Sequence, residues 1–172
     1  MKKLILLIVF GFISTATFAQ APLGEGNTQL NAGVGVSGWG VPVYVGLDYG
    51  VARDWTIGGQ ISFQTDDEPY HYEGKSYHYD SSAIGIGGNG NYHFNTILNI
   101  PSNFDFYAGA SLTYYIWDYD DYGDNHHPDN DSLGLGLQVG GRYFFNKNFG
   151  INLELGGNTG TSGAKFGITY KF

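Results

Sequence analysis

The chain contains no cysteine. That excludes a disulfide framework, a thiolate metal centre and a lipid-anchored N-terminal cysteine. Basic residues are scarce, with 8 Lys and Arg against 16 Asp and Glu, for a net charge of −8. Such a chain repels phosphate backbones, so nucleic acid is excluded as a partner. Long hydrophobic runs are also missing, apart from Leu4 to Ile13 close to the N-terminus. That run is too short for a membrane-spanning helix and has no stop-transfer pattern after it.

The short run fits a cleavable export signal instead. Met1-Lys2-Lys3 is a positive n-region, Leu4 to Ile13 the apolar stretch, and Thr17 and Ala19 the small pair before a cleavage site. The expectation is a signal peptide over 1–19 and one domain over 20–172. Loss of Lys2 and Lys3 moves the net charge from −8 to −10.

What is abundant is glycine, 28 residues, and aromatics, 17 % of the chain. The glycines sit within patterned segments, which argues against low-complexity disorder. From Thr28 onward the dominant period is two, the mark of strands with two unlike faces. Eight such segments can be traced. The apolar phase carries Leu30, Val34, Val45, Leu47, Ile57, Ile61, Ile84, Ile86, Leu112, Leu135, Leu137, Leu153, Phe166 and Ile168. The other phase carries glycine, amides, hydroxyls and charge, as in Asn31, Tyr44, Asp48, Gln60, Asn91, His93, Gln138, Arg142, Asn152, Glu154, Lys165 and Lys171.

Alternation alone does not say which face points outward. Two features decide it. Apolar-phase aromatics gather at one end of the strands: Tyr49, Trp55, Tyr92, Phe94, Phe104, Phe106, Tyr143, Phe145, Phe149, Tyr170 and Phe172. Sorting by height is what a membrane interface requires, and a soluble core does not. The polar face, moreover, is too rich in glycine and charge to fill a hydrophobic core. The apolar face therefore points into lipid. Because hydrocarbon leaves backbone amides no other partner, the sheet must close. The predicted fold is all-β: an eight-stranded antiparallel up-and-down transmembrane β-barrel.

Tight turns are expected at Ala52-Arg53-Asp54 and Asn146-Lys147-Asn148. A longer connection near Asn95–Asn103 carries Ile97, Leu98, Ile100 and Pro101, which predict packing under the barrel. Two long polar connections, Asp66–Tyr79 and Asp118–Ser132, fall at the other end. Short periplasmic turns opposite long outer loops are the pattern of outer-membrane barrels.

At the C-terminus, Lys165, Gly167, Tyr170 and Phe172 resemble the terminal signal read by the outer-membrane assembly machinery. Gly140-Gly141-Arg142-Tyr143-Phe144-Phe145-Asn146-Lys147-Asn148-Phe149-Gly150 and Gly50-Val51-Ala52-Arg53-Asp54-Trp55-Thr56-Ile57-Gly58-Gly59 are similar to strand–turn–strand segments of small outer-membrane barrels of the OmpA/OmpX type, often described as porin-like. The resemblance implies a signal-exported integral protein of the outer membrane, with lipid and the assembly machinery as partners. It implies no single activity, since such barrels serve as adhesins, structural proteins and, in a few cases, enzymes.

Site candidates follow from position. Asp48, Asp105 and Glu154 balance Arg142, Lys165 and Lys171 on the inner face, with Arg142 in reach of Asp105 or Glu154 on flanking strands. A gated ion path and a plug of ion pairs both fit this set; the narrow lumen of an eight-stranded barrel favours the plug. Asp118, Asp120 and Asp129, with His126 and His127, offer oxygen and imidazole ligands in an acidic loop, against the plain reading of a solvated loop tip. The Tyr- and His-rich segment Asp66–Tyr79 reads as a surface for an extracellular glycan or protein, or as an extension of strands three and four above the membrane. His71, Ser76, His78 and Asp80 are the types used by lipid A-modifying barrels, but they form no catalytic motif. The expectation is therefore a non-enzymatic barrel without cofactors, in an envelope-structural or surface-interaction role, with a narrow channel as the alternative.

Overall fold

The structure, a computed structural model, describes residues 21–38, 40–72, 75–119, 131–159 and 162–172; side chains at 66–72, 75–81, 118 and 119 are outside this description. The predicted signal segment 1–19 lies outside the described residues.

Runs of alternating β-branched and polar residues form eight strands: β1 Thr28–Ser37, β2 Val43–Ala52, β3 Trp55–Tyr72, β4 Lys75–His93, β5 Phe104–Tyr119, β6 Ser132–Phe144, β7 Phe149–Asn158 and β8 Ser162–Lys171. One helical turn, α1 Asn95–Leu98, stands between β4 and β5. Each strand pairs antiparallel with its sequence neighbours, and β1 pairs with β8, from Gln29↔Lys171 to Ser37↔Gly163, to close the barrel. Closure leaves no edge strand, so every spanning amide has a partner inside the sheet.

The burial pattern is that of a soluble protein turned inside out. Among the described residues, buried side chains are mainly polar, including Gln29, Asp48, His93, Asp105, Arg142 and Thr169. Leu47, Ile61, Leu137, Leu153 and Phe166 are each about half exposed or more. Burial of apolar surface cannot hold such a molecule together in water; the apolar band needs lipid around it. The aromatics form clusters of touching rings at the turn end. Trp55 meets Tyr92, Tyr92 meets Phe94 and Tyr170 meets Phe172 edge to face, with centroids 5.1 to 5.3 Å apart.

The two ends differ. At the turn end, residues 21–27 cross beneath the barrel and bury Leu23. Gly26 N–H donates to Gly50 O at 2.9 Å, and Gly50 N–H donates to Asn27 O at 3.0 Å. A Cβ on Gly50 would stand 2.2 Å from Gly24 O, so this crossing requires glycine at position 50. The Asn95–Asn103 connection does not pack under the barrel as its apolar residues predict. Ile97 and Leu98 are exposed, because Thr96 Oγ1 donates to Asp54 Oδ1 and Asn95 Nδ2 to Phe104 O. Those bonds hold α1 on the rim, while residues 21–27 cross beneath the barrel.

At the other end, β3 as far as Tyr72 and β4 from Lys75 continue as a paired ribbon, the extension of strands three and four that the sequence allowed. β2 leaves β3 at Val43↔Phe63 and β5 leaves β4 at Ser81↔Tyr119, yet β3 and β4 stay in register out to Tyr72↔Lys75.

Candidate functional site

The only enclosed polar environment such a fold creates is its lumen, which eight strands leave just wide enough for side chains. Its inward positions come from alternate residues of all eight strands, and glycines let the large ones lie flat. Tyr107 of β5 faces Gly140 of β6, where a Cβ would come 2.3 Å from the ring. Tyr44 of β2 crosses Gly33, its β1 partner, and reaches Gly167 of β8, where a Cβ would stand 2.6 Å from its hydroxyl.

Arg142 is the centre of the half nearer the turn end. Its Nη1 donates to Asp105 Oδ2 at 2.9 Å, and its Nη2 to Asp48 Oδ2 at 2.8 Å. The guanidinium lies 4.2 Å from the Tyr107 ring centroid, a cation–π contact shielded from water. Arg142, Asp48 and Asp105 are each at most 5 % exposed, so these pairs lie far from solvent screening. Asp105 Oδ1 also sits 2.7 Å from His93 Nδ1, and His93 Nε2 sits 3.0 Å from Thr56 Oγ1. A carboxylate only accepts, so His93 Nδ1 carries the hydrogen and, in the neutral ring, Nε2 accepts from the Thr56 hydroxyl.

Neighbouring amides and hydroxyls complete the layer. Asp48 Oδ2 accepts from Asn31 Nδ2 at 2.9 Å and Gln29 Nε2 at 3.3 Å. Tyr44 donates to Asn152 Oδ1 at 2.7 Å, Asn152 Nδ2 donates to Thr169 Oγ1 at 3.0 Å, and Thr169 donates to Asn31 Oδ1 at 2.7 Å. Lys171 Nζ lies 3.7 Å from the centroid of the buried Phe144 ring. The remaining space in this layer is a cavity of about 30 Å³ beside Arg142, Tyr107 and Asn152.

One level higher stands a second pair. Lys165 Nζ donates to Glu154 Oε1 at 2.9 Å and to Gln60 Oε1 at 3.2 Å, and Tyr107 donates to Glu154 Oε2 at 3.0 Å. Glu154 is Lys165's register partner, so Arg142 turns to Asp105 and, across the barrel, to Asp48; its contact with Glu154 is not formed. Above this pair the lumen opens into a cavity of about 120 Å³ toward the long-hairpin end.

All six inner charges named from the sequence thus line one lumen. His93, on the inward phase by sequence, is there as well, whereas Thr56, Gln29, Tyr107, Tyr115 and Phe144 were overlooked as lumen residues. Strand parity was the signal for them: Tyr107 and Tyr115 share the phase of Asp105, and Phe144 that of Arg142.

Other candidates stand apart. Asp118 ends β5 with its side chain outside the description, and Asp120, His126, His127 and Asp129 lie outside the described residues altogether. His71, Ser76, His78 and Asp80 belong to the β3–β4 ribbon, and their side chains are also outside it. Among the described residues no three His, Asp or Glu side chains are grouped to hold a metal ion. In the C-terminal motif, Lys165 and Gly167 serve the lumen, while Tyr170 and Phe172 stand among the turn-end aromatics.

No family model matches the chain, and no curated protein sequence matches it. Solved structures do. OprG from Pseudomonas aeruginosa superposes with a TM-score of 0.65 at 13 % identity, covering 88 % of this chain and 99 % of that one. The N-terminal β-barrel domain of OprF from the same organism gives 0.58 at 15 % identity, covering 87 % and 99 %. Ail of Yersinia pestis, in complex with the heparin analogue sucrose octasulfate, gives 0.59 at 13 % identity, covering 86 % and 99 %. The likeness runs through nearly the whole of each structure and is one of fold.

Proposed function

We propose that this chain, whose fold is that of the small eight-stranded outer-membrane barrels, is an integral outer-membrane protein whose sealed barrel anchors an extended hairpin at the cell surface. The reading makes it a non-enzymatic protein of envelope-structural or surface-interaction type. The observation that carries it is the contrast between a lumen closed by Arg142, Asp48 and Asp105 and a β3–β4 ribbon that outgrows every neighbouring strand.

From Thr65 to Tyr72 the ribbon adds roughly 20 Å of rise, at about 3.3 Å per residue. Its Tyr-, His- and acid-rich sequence suits contact area at low entropic cost. The charge sign narrows the partner. Ail's ligand is a sulfated polyanion, whereas this chain is strongly acidic and repels one. A protein or glycan with neutral or cationic groups fits better. In this reading β8 carries the assembly signal and the apolar band meets lipid, while Ile97 and Leu98 on α1 add to the inner interface.

Two measurements test it. An epitope inserted between Glu73 and Gly74 should be stained on intact cells; staining only after permeabilisation overturns the surface assignment. The protein in planar bilayers should give no steady conductance; reproducible unitary channels would replace the anchor with the narrow-pore reading.

A further inference from the structure

The upper lumen has features that a mere passage or a plug does not need. It is a cup: its floor is the Lys165–Glu154 pair, its wall mixes hydroxyl and amide side chains with apolar ones, and the packed Arg142 layer closes the way below. We propose that this cup binds a neutral, polyhydroxylated molecule about the size of a monosaccharide.

The wall is built from uncharged groups, each set against a glycine of a neighbouring strand. A Cβ on Gly85 would stand 2.6 Å from Ser62 Oγ, one on Gly87 2.6 Å from Thr113 Oγ1, and one on Gly136 2.8 Å from Ser111 Oγ. Any larger residue at these glycines would collide with the hydroxyl beside it and displace that hydroxyl. Hydroxyls donate and accept at once, which matches ligand hydroxyls that do the same. The floor contributes no net charge, since Lys165 and Glu154 neutralise each other at 2.9 Å. A charged ligand would have to break that pair. Tyr44 and Tyr115 border the cup and offer flat ring faces for C–H surfaces.

The second observation is Gln64. It lines the cup and is only 6 % exposed, yet its buried Nε2 has no hydrogen-bond partner. Buried amide donors are nearly always satisfied, so this one marks a place for an acceptor. The cavity is also roomy: about 120 Å³ is several times the space one water needs. The inference rests on the fold and the closed floor, and does not depend on what the surface hairpin contacts.

The test uses the folded barrel in lipid nanodiscs with ¹⁵N-labelled glutamine, titrated with glucose, glucosamine and glucuronate. The Gln64→Leu variant assigns the Gln64 side-chain resonance. Glucose should shift it saturably. Thr113→Val, which keeps shape and removes a hydroxyl, should weaken binding about fivefold, the loss of one ordinary hydrogen bond. Heat-modifiable gel mobility verifies that each variant is folded, and Ser111→Ala serves if Thr113→Val does not fold. Shifts that stay linear through the titration mean that the cup holds water only, and the proposal fails. Binding of either charged sugar about tenfold or more tighter than glucose overturns the neutral class.

Discussion

The two halves of the lumen are made from the same strands by the same alternation, and they solve opposite problems. The half near the turn end is packed: Arg142 satisfies two carboxylates, Tyr107 fills the space over Gly140, and about 30 Å³ remains. The half near the long hairpins is open: its glycines lie beside small hydroxyl side chains of neighbouring strands, and about 120 Å³ remains. Glycine in the lower half makes room for a ring of the protein itself. Glycine in the upper half is covered only by short hydroxyl side chains, which leave room beyond them. A glycine-rich inner face therefore says nothing about closure until the residues opposite it are known.

The largest test of this contrast is Arg142→Met. It leaves Asp48 and Asp105 buried without their shared cation, and should lower stability by about 3–5 kcal/mol. Urea unfolding of the barrel in lipid vesicles, followed by Trp55 and Trp117 fluorescence, measures it. Adding Asp48→Asn and Asp105→Asn should recover much of the loss, since the cost lies in unpaired charge and not in lost volume. A single-variant loss below ~1 kcal/mol would mean that the lower half is not held by these pairs.

Next in size is Gly140→Val, whose Cβ meets the Tyr107 ring; about 1–3 kcal/mol is expected. Tyr107→Ala in the same background should show strong coupling in a double-mutant cycle. On the lipid face, Gly59→Ala meets nothing nearer than 3.8 Å and should stay within about 0.5 kcal/mol under the same unfolding protocol. The Lys165–Glu154 pair is the smallest of the lumen effects. Lys165 is one-third exposed, so Glu154→Gln should cost no more than ~1 kcal/mol and respond to salt, unlike Arg142→Met.

Much of the barrel is legible residue by residue. The period of two through Val43–Tyr49 or Leu133–Val139, and the aromatics sorted to one end, assign the faces without any coordinates. The site is legible only in part. Asp105 and Arg142 are register partners on adjacent strands, a contact that strand order alone makes reachable. Asp48 is different: it lies on β2, 94 residues from Arg142, and meets it only across the closed lumen. Tyr44 and Asn152, 108 residues apart, are the same case. The alternation of Tyr and His in Asp66–Tyr79 left strand extension open beside a surface loop, and cross-strand pairing carries β3 and β4 on as a ribbon. Connection composition misled only at Asn95–Asn103. Ile97 and Leu98 are apolar as a cork is, yet the bonds from Asn95 and Thr96 hold them on the rim.

Taken alone, the sequence determined which side chains alternate inward and outward, that the apolar side needs lipid, and where the chain must turn. These are local properties, written in the pleat of each strand and the chemistry of successive residues. The tertiary structure decided which inward charges meet, which half of the lumen is filled and which left open, and how far β3 and β4 rise beyond the rest. The rise of β3 and β4 is set by their own pairing. Contacts such as Arg142–Asp48 depend instead on the register in which β8 returns to β1, because closure brings side chains from opposite walls within hydrogen-bonding distance.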